Sequence, residues 1–253
     1  MRKKILASSL ADNYKIIVSG ATETGKKHVL EREKNQDAVK TKCYGFGCVM
    51  ALADGVGSHK FSRFGSRAIV QSVHRSFIDY VKGAFEDTYL AKNIRNHFKI
   101  RVPGKYQSQS ATTCIFSAYL YGEGLFLGQI GDGLCIYSID GNNYILTEKE
   151  DSFSNIVCPF NVLSDDNKWI ISFIPEEKIK RELNVLLLTD GLSEDVLKGK
   201  EFIFMKGIKD EMFKKSAKNT SNILKYMIKT WPVPMSSDDK SSCFMHITIN
   251  SGD

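Results

Sequence analysis

Residues 48–59 read Cys-Val-Met-Ala-Leu-Ala-Asp54-Gly55-Val-Gly-Ser-His, an apolar run that ends in an Asp-Gly pair. Two other apolar runs end in the same way, at Asp132-Gly133 and Asp190-Gly191, and the acidic pair Asp238-Asp239 precedes the last apolar run. An Asp at the end of a buried strand, followed by Gly, places a carboxylate at a sheet edge where the backbone can turn sharply. Several such ends brought together would form a carboxylate cluster that is stable only around cations.

The composition is that of a globular chain with one sizeable core. The chain has 253 residues, of which 42% are hydrophobic and 25% charged, and we expect a single domain over residues 1–253. Residues 1–11 resemble the start of a signal peptide, but Ser8 and Ser9 interrupt the apolar stretch and Asp12 ends it. No run approaches the roughly 18 apolar residues of a membrane span. These features predict a cytoplasmic protein with no membrane partner.

Cysteine spacing and charge exclude two further classes of protein. The six cysteines include no Cys-x-x-C pair, which favours a reduced interior and argues against a zinc site. The formal net charge is +6, with a mild concentration of lysines in residues 206–218. No aromatic residues are interleaved there in the way that stacks bases, so we interpret the lysines as a solvated helix face and predict no nucleic-acid partner.

Strand-like and helical segments alternate along the chain. Hairpin turns at residues 121–124 and 140–143 favour antiparallel pairing. Residues 63–82 carry apolar side chains at helical spacing, and the pattern from 231 to 234, Trp-Pro-Val-Pro, ends the last helix. The pattern therefore predicts one α+β domain with helices packed outside the sheets. Strands are expected at 14–20, 45–53, 112–121, 125–130, 134–139, 144–147, 168–174, 185–189 and 243–249, and helices at 63–82, 86–98, 200–217 and 221–229.

The Asp-Gly pairs are not equivalent. Asp140-Gly141 lies between two consecutive strands and is interpreted as a tight turn. Asp54 and Asp190 each precede a helical segment, where a helix cap is an equally good interpretation of either one alone. Only the joint pattern favours a shared site.

That joint pattern resembles the protein phosphatase 2C family of metal-dependent phosphatases, in its compact bacterial form, over nearly the whole chain. The Gly25-Lys-Lys-His28 element resembles the subgroup that also carries Gln-Asp-Ala. Six motifs occur in the family order: Arg32 to Ala38, Ala53 to His59, Ala111-Thr112-Thr113, Gly131-Asp132-Gly133, Thr189-Asp190-Gly191-Leu192 and Ser237-Asp238-Asp239-Lys240-Ser241.

The resemblance implies a sandwich of two antiparallel β-sheets flanked by α-helices, in a four-layer αββα arrangement. It further implies that Asp54 bridges two divalent ions and that the Gly55 carbonyl binds one of them, while Asp190 and Asp238 hold the other. Asp132 would sit near a third, weaker site, and Asp37 near a metal-bound water. Oxygen ligands of this kind favour Mn²⁺ or Mg²⁺ over zinc.

A phosphatase of this family would use a water activated between the two cations, so that no side-chain nucleophile is required. Arg32 matches the family position that grips the substrate phosphate. His28 is a competing candidate, as a phosphate contact or as the general acid for the leaving alkoxide. A surface salt bridge remains the alternative for Arg32, and a structural histidine the alternative for His28.

The expected function is removal of phosphate from Ser or Thr of a phosphoprotein, by a monomer that has a cognate Ser/Thr kinase as a further candidate partner. Two departures from the family pattern favour a second hypothesis, a pseudophosphatase that binds a phosphoprotein or kinase. Gln36 stands where Glu is commonest, and residues 147–168 lack the usual Asp-His element. A third hypothesis, a two-metal nuclease, rests only on the basic charge and the carboxylates.

Overall fold

The computed structural model describes residues 13–146, 159–161, 166–214, 220–231 and 236–249. Within these ranges, ten strands form two five-stranded sheets in which every pairing is antiparallel. The first sheet has the order β1-β10-β9-β6-β7 and the second the order β2-β3-β4-β5-β8. The strands are β1 (Tyr14–Glu23), β2 (Ala38–Tyr44), β3 (Gly47–Ala53), β4 (Cys114–Leu120), β5 (Gly124–Ile130), β6 (Leu134–Ile139), β7 (Asn142–Ile145), β8 (Ile170–Pro175), β9 (Glu182–Leu188) and β10 (Lys240–Ile249).

Helices cover the outer face of each sheet. Their bounds are α1 (Lys26–Glu31), α2 (Ser62–Val81), α3 (Leu90–Arg101), α4 (Gly104–Gln107), α5 (Asp190–Ser193), α6 (Glu201–Lys214) and α7 (Thr220–Lys229). Ile69, Val73 and Phe77 of α2 pack with α3 on the second sheet. Met205 and Ile208 of α6 pack with α7 on the first sheet. The predicted α+β sandwich with outer helices is therefore confirmed.

The central core lies between the two sheets. Leu52, Ile115 and Leu127 of the second sheet meet Leu187 and Met245 of the first, and all five side chains are buried. Strands β3, β4 and β5 are buried along their whole length because helices cover one face and the other sheet covers the opposite face. Burial on both faces explains why these strands appear in the sequence as continuous apolar runs.

Most predicted elements match the structure to within a few residues. The strand at 38–44 was missed because the polar residues Lys40, Thr41 and Lys42 interrupt its apolar run, and β2 lies at a sheet edge. The short helices α1 and α4 were also missed, and the helix expected at 86–98 lies at 90–101. The expected turn at Asp140-Gly141 joins β6 to β7, and both residues have positive φ, 50° and 90°.

One expectation about the cysteines is wrong. Cys43 and Cys48 form a disulfide across the hairpin between β2 and β3, where the antiparallel register sets them directly opposite each other. The sequence did not reveal this pairing because β2 was not predicted. Cys114, Cys135 and Cys243 are free and buried.

Several expectations fall outside the described residues. These are the signal-like segment 1–11, the departure from the family pattern over most of residues 147–165, and the end of the helix expected at 200–217. Among the helices that the structure describes, none has the length and apolar character needed to cross a membrane.

Candidate active site

Asp54 and Gly55 lie at the end of β3, where the chain leaves the second sheet. The backbone oxygen of Asp54 accepts a hydrogen bond from the amide of Thr113 at 2.8 Å, and Gly55 pairs with Thr112. A Cβ atom on Gly55 would lie 2.9 Å from the backbone of Ser62. Helix α2 therefore begins directly against this turn, which only Gly accommodates without a shift.

Asp190 lies at the end of β9 and begins the short helix α5. The amide of Gly191 donates to Oδ1 of Asp190 at 2.7 Å. The preceding residue, Thr189, pairs with Ser241 of β10 through two hydrogen bonds of 3.0 and 3.1 Å. A Cβ on Gly191 would lie 2.0 Å from the backbone oxygen of Asp239, so this turn and the Asp238-Asp239 loop are in close contact.

Asp37 connects the two sheets. Its side chain is 5% exposed, and Oδ2 accepts a hydrogen bond from the hydroxyl of Thr189 at 3.2 Å. Its carboxylate also contacts that of Asp54. Oδ1 of Asp37 is buried and has no hydrogen-bond partner in the described part of the chain. An orphaned buried carboxylate oxygen is unfavourable without a cation or proton.

The carboxylates in this region strongly perturb one another. Burial raises the pKa of Asp54, and the charges of Asp37, Asp190 and Asp238 raise it further. Burial raises the pKa of Asp37 as well. The pKa of Asp190 is raised to about 6, first by burial and then by Asp132. Pairwise electrostatic interactions thus link the five predicted aspartates, since Asp54 interacts with Asp37, Asp190 and Asp238, and Asp190 interacts with Asp132. Their all-oxygen donor set fits a hard divalent cation.

Asp132 is held in a glycine turn between β5 and β6. Gly131 and Gly133 have φ values of 82° and 101°, in the region that disfavours other residues. The side chain of Gln129 donates to the backbone oxygens of both glycines at 3.2 Å. Asp132 itself is half-buried, and this burial raises its pKa.

Asp239 is a central residue that the sequence did not single out. Its carboxylate is 1% exposed and accepts hydrogen bonds from the amides of Gly25 at 2.8 Å and Gln36 at 2.6 Å. Oδ2 also lies 2.9 Å from Nδ1 of His28. Asp238, the neighbouring residue, accepts from the amide of Asp239 at 2.8 Å and is far more exposed. The Asp-Asp pair thus carries one inward and one outward carboxylate.

His28 lies in the interior, with only 6% of its surface exposed. Burial alone would lower the pKa of His28, but the carboxylates of Asp239, Asp238 and Glu33 together raise it. One ligand atom each from His28, Asp238 and Asp239 lies within 4.8 Å of the others. The ring of His28 therefore faces the loop that carries Asp238 and Asp239. This placement favours a structural role for His28, in which it holds that loop.

Arg32 is exposed at the C-terminal end of α1. Its φ of 57° is left-handed, and its amide donates to the backbone oxygen of Val29 at 3.3 Å. No described residue forms an ion pair with the guanidinium of Arg32. Among the described residues, the structure therefore does not show the surface salt bridge that was the alternative interpretation of Arg32. The left-handed backbone turns the chain directly from the helix into the loop that leads to Asp37.

Gln36 and Lys240 brace this loop and its neighbour. Oε1 of Gln36 accepts from the hydroxyl of Ser62 at 2.9 Å, so the side chain is held against the start of α2. Nζ of Lys240 is buried and donates to the backbone oxygens of Gly191 and Ser236, both at 2.7 Å. Lys240 was also missed from the sequence, although a lysine immediately after two aspartates is a charge signal that could have indicated it.

The family model described as Protein phosphatase 2C matches residues 24–229. No curated protein sequence matches the chain significantly.

Three solved structures illustrate the proteins that share this fold. The serine/threonine phosphatase PstP/Ppp of Mycobacterium tuberculosis has a TM-score of 0.62 at 17% identity, covering 91% of this chain and 97% of that one. RsbX in complex with magnesium has a TM-score of 0.57 at 13% identity, covering 92% and 95%. The phosphatase domain of SpoIIE from Bacillus subtilis has a TM-score of 0.55 at 11% identity, covering 95% and 96%.

At these identities the structural likeness concerns the fold alone. The family model, however, spans most of the chain and includes five of the six motifs, together with the turns that carry Asp54, Asp132 and Asp190. This chain belongs to the protein phosphatase 2C family.

Proposed function

We propose that the protein is a metal-dependent phosphatase that hydrolyses phosphoserine or phosphothreonine in a phosphoprotein. The observation that carries the proposal is the meeting of Asp37, Asp54 and Asp190 at one end of the sandwich, with a buried Asp37 oxygen left without a hydrogen bond. Buried carboxylates in contact repel one another, and cations remove this cost.

Asp54, Asp190 and Asp238 are the residues that would hold two Mn²⁺ or Mg²⁺ ions, together with the backbone oxygen of Gly55. Asp132 would contribute to a third, weaker site, and Asp37 would orient a coordinated water. When bound, the two ions would lower the pKa of a water and offset charge on the phosphoryl oxygens. The magnesium in the RsbX structure supports this choice of ion.

Side chains around the carboxylate cluster would bind the substrate phosphate and hold the loop that carries Asp37. Arg32 would bind the phosphate through paired hydrogen bonds, since its guanidinium is exposed beside the loop that carries Asp37. His28 would act by holding that loop rather than as a general acid, because its ring faces Asp239 in the interior. A cytoplasmic monomer that reverses the action of a Ser/Thr kinase in signalling is the setting that this activity suggests.

The proposal is tested by phosphate release from a phosphothreonine peptide, with Mn²⁺, with Mg²⁺ and with chelator. We expect metal-dependent turnover by the wild type and a loss of at least about 100-fold in Asp54→Ala. Asp210→Ala, at an exposed position on α6, is the matched control and should retain full activity. Equal turnover with chelator, or by Asp54→Ala, would refute the proposal.

A pseudophosphatase is the second candidate, and one observation favours it. The side chain of Gln36 is neutral and bound to Ser62, so it supplies no charge to the cluster. Metal stoichiometry separates the two functions, since the enzyme needs at least two ions while a binding protein could hold one. If the metal-loaded wild type hydrolyses no phosphopeptide and binds a single ion, the binding function replaces the catalytic one.

A further inference from the structure

A row of basic residues runs along the exposed side of helix α2. Four residues follow one another at intervals of four, which places them on one face of the helix: Arg63, Arg67, Gln71 and Arg75. Arg67, Gln71 and Arg75 are exposed, and Arg63 is partly buried. Arg63, Arg67 and Arg75 are called the arginine row below. The family resemblance implies no role for any of them.

Positive charge is concentrated in the helices that cover the second sheet. Residues 55–110, which include α2, α3 and α4, contain ten Lys or Arg and three Asp or Glu. This excess accounts for the whole formal net charge of +6, so the charges in the rest of the chain nearly balance. Residues 55–78 include no Asp or Glu. The arginine row therefore lies in a surface of positive potential.

The first two arginines of the row repel each other. Like charges four residues apart destabilise a helix. Burial lowers the pKa of Arg63, and the charge of Arg67 lowers it further. Among the described residues, neither Arg63 nor Arg67 has an ion-pair partner, whereas Arg75 pairs with Asp79 at 3.1 Å. An anionic ligand at this end of the row would relieve the repulsion.

Lys40 and Arg101 extend the basic surface beside the row. Nζ of Lys40, on β2, donates a hydrogen bond to the side chain of Gln71. Burial lowers the pKa of Lys40, and the charge of Arg101 on α3 lowers it further. Burial also lowers the pKa of Arg101, and Arg75 adds to this effect while Asp79 opposes it. Positive charges from β2, α2 and α3 therefore converge on this surface.

The row begins at the carboxylate cluster. Nε of Arg63 donates to the backbone oxygen of Asn35 at 3.1 Å, in the segment that leads to Asp37. The preceding residue, Ser62, lies against the turn at Gly55, where an added Cβ would be 2.9 Å from the Ser62 backbone. At a rise of about 1.5 Å per residue, the row extends about 18 Å from Arg63 to its last arginine. A peptide that leaves the cluster along α2 would therefore pass all three arginines.

The spacing of the row matches that of an extended polypeptide. Residues four apart on a helix are separated by about 6 Å along its axis. Side chains on one side of an extended chain recur at every second residue, about 6.5 Å apart. Each guanidinium can bind a carboxylate through paired hydrogen bonds. Acidic side chains at alternate positions of an extended segment of about six residues would therefore meet the row in register.

We propose that the arginine row binds acidic residues that flank the phosphorylated residue of a protein substrate. The identity of this partner rests on the proposed phosphatase function, because the row begins where the phosphate of that substrate would bind. The row would then select among phosphoproteins, favouring a phosphorylated Ser or Thr beside Asp or Glu over one in a neutral or basic segment. Attraction of this kind raises the association rate and is screened by salt.

The test is fluorescence anisotropy of labelled phosphothreonine peptides with the full-length protein, in chelator and low salt. Three peptides are compared: one with Glu at three alternate positions after the phosphothreonine, one with Glu at three alternate positions before it, and one with Gln in place of every Glu. We expect one Glu peptide to bind at least about tenfold more tightly than the Gln peptide, as three exposed ion pairs would give. This preference should decline as salt is added.

Charge reversal within the row provides the variants. Arg67→Glu should reduce the preference for the Glu peptide at least about fivefold, because an attraction becomes a repulsion. Lys206→Glu makes the same change in net charge at an exposed position on α6 and should leave the preference intact. Arg67→Lys keeps the positive charge and should retain most of the preference.

Three results would overturn the proposal. The first is equal binding of the Glu and Gln peptides by the wild type, and the second is equal weakening of the preference in Arg67→Glu and Lys206→Glu. The third is tighter binding of a single-stranded DNA oligonucleotide, or of phosphatidylserine vesicles, than of either Glu peptide, with that binding lost in Arg67→Glu. The third result would assign the row to a nucleic acid or to a membrane surface.

Failure of this inference is distinguishable from failure of the proposed phosphatase function. The binding measurements are made in chelator and need no turnover. In the phosphatase assay with Mn²⁺, Arg67→Glu should lower kcat/KM for the preferred Glu peptide at least about fivefold and leave kcat/KM for p-nitrophenyl phosphate unchanged. Turnover with no preference for acidic flanks would overturn the role of the row alone. A preference in binding with no turnover would support the row and refute the phosphatase function.

Discussion

Nδ1 of His28 lies 2.9 Å from Oδ2 of Asp239, and this buried contact joins helix α1 to the loop before β10. The same carboxylate accepts the amides of Gly25 and Gln36. A single side chain therefore holds both ends of the segment that carries Arg32 and leads to Asp37. This contact determines where the segment lies relative to the carboxylate cluster.

Replacing Asp239 should strongly destabilise the protein. Asp239→Ala removes the carboxylate beside His28 and leaves the buried amide of Gly25 and the half-buried amide of Gln36 without an acceptor, at a cost of about 3–5 kcal/mol in the free energy of unfolding. Asp239→Asn keeps one acceptor oxygen, while its NH2 group faces another donor, so it should lose less stability than Asp239→Ala without reaching that of the wild type. Urea unfolding of both variants measures the difference. Equal losses in the two variants would contradict a role for Asp239 as the shared acceptor.

A methyl group at Gly25 should displace the acidic loop. The Cβ of alanine would lie 2.2 Å from the backbone of Asp238, a contact that requires the loop to shift. We expect Gly25→Ala to weaken Mn²⁺ binding roughly tenfold or more. Gly104→Ala is the matched control, because a Cβ at Gly104 meets no atom within 4 Å. Calorimetric titration with Mn²⁺ measures the affinity of both variants. An unchanged affinity in Gly25→Ala would contradict a displacement of the loop that carries Asp238.

Removing one carboxylate should stabilise the metal-free protein. Asp54→Asn relieves repulsion from Asp37 and Asp190, and we expect a gain of about 1–2 kcal/mol in chelator, seen as a higher Tm. Mn²⁺ should raise the Tm of the wild type and have little effect on the variant. A metal-free variant that melts below the wild type would show that Asp54 stabilises the fold by another contact.

The metal-free protein should lose stability as the pH rises. The pKa of Asp190 is raised to about 6, above that of an unfolded aspartate at about 4. The folded state therefore binds the proton more tightly, and stability falls as the pH rises between these two values. Melting in chelator from about pH 4 to about pH 6, the window between these two pKa values, measures the decline. Saturating Mn²⁺ should reverse it, and a flat profile in chelator would contradict the raised pKa.

Asp140 should show the opposite pH dependence. Although burial opposes it, hydrogen bonds from the amides of Glu182, Lys180 and Arg181 lower the pKa of Asp140. Asp140 therefore stabilises the folded protein at pH values above the pKa that Asp140 has in the unfolded chain. This stabilisation is lost as the pH falls through the lower pKa of the folded state. Asp140→Ala should cost about 1 kcal/mol at pH 7, since the site is partly exposed, and less in acid. Urea unfolding of the wild type and Asp140→Ala, at pH 7 and in acid, measures this loss of stability. A loss that is equally large in acid would contradict the lowered pKa of Asp140.

Much of the fold could be predicted from local pattern. Strands β5 and β6 were predicted almost to the residue because their apolar runs are bounded by glycines. Helix α2 was predicted equally well because its apolar residues follow helical spacing. β2 was missed because Lys40 and Lys42 interrupt its apolar residues, and only pairing with β3 makes the segment a strand.

The candidate site divides in the same way. The Asp-Gly turns after Ala53 and Thr189 were visible in the sequence because an apolar run and a glycine are local signals. His28 was ambiguous, and the structure places it against Asp239. Asp239 and Lys240 were not singled out because their partners, Gly25 and Gly191, are remote in the sequence and offer only backbone atoms.

The sequence by itself determined most of the strands, the long outer helices and the family, since each rests on residue type and spacing over short segments. The tertiary structure decided which groups meet, such as Asp37 with Thr189 and His28 with Asp239. These contacts follow from the register and packing of two sheets. Long-range pairing depends on the free energy of the whole fold, and no local pattern encodes it.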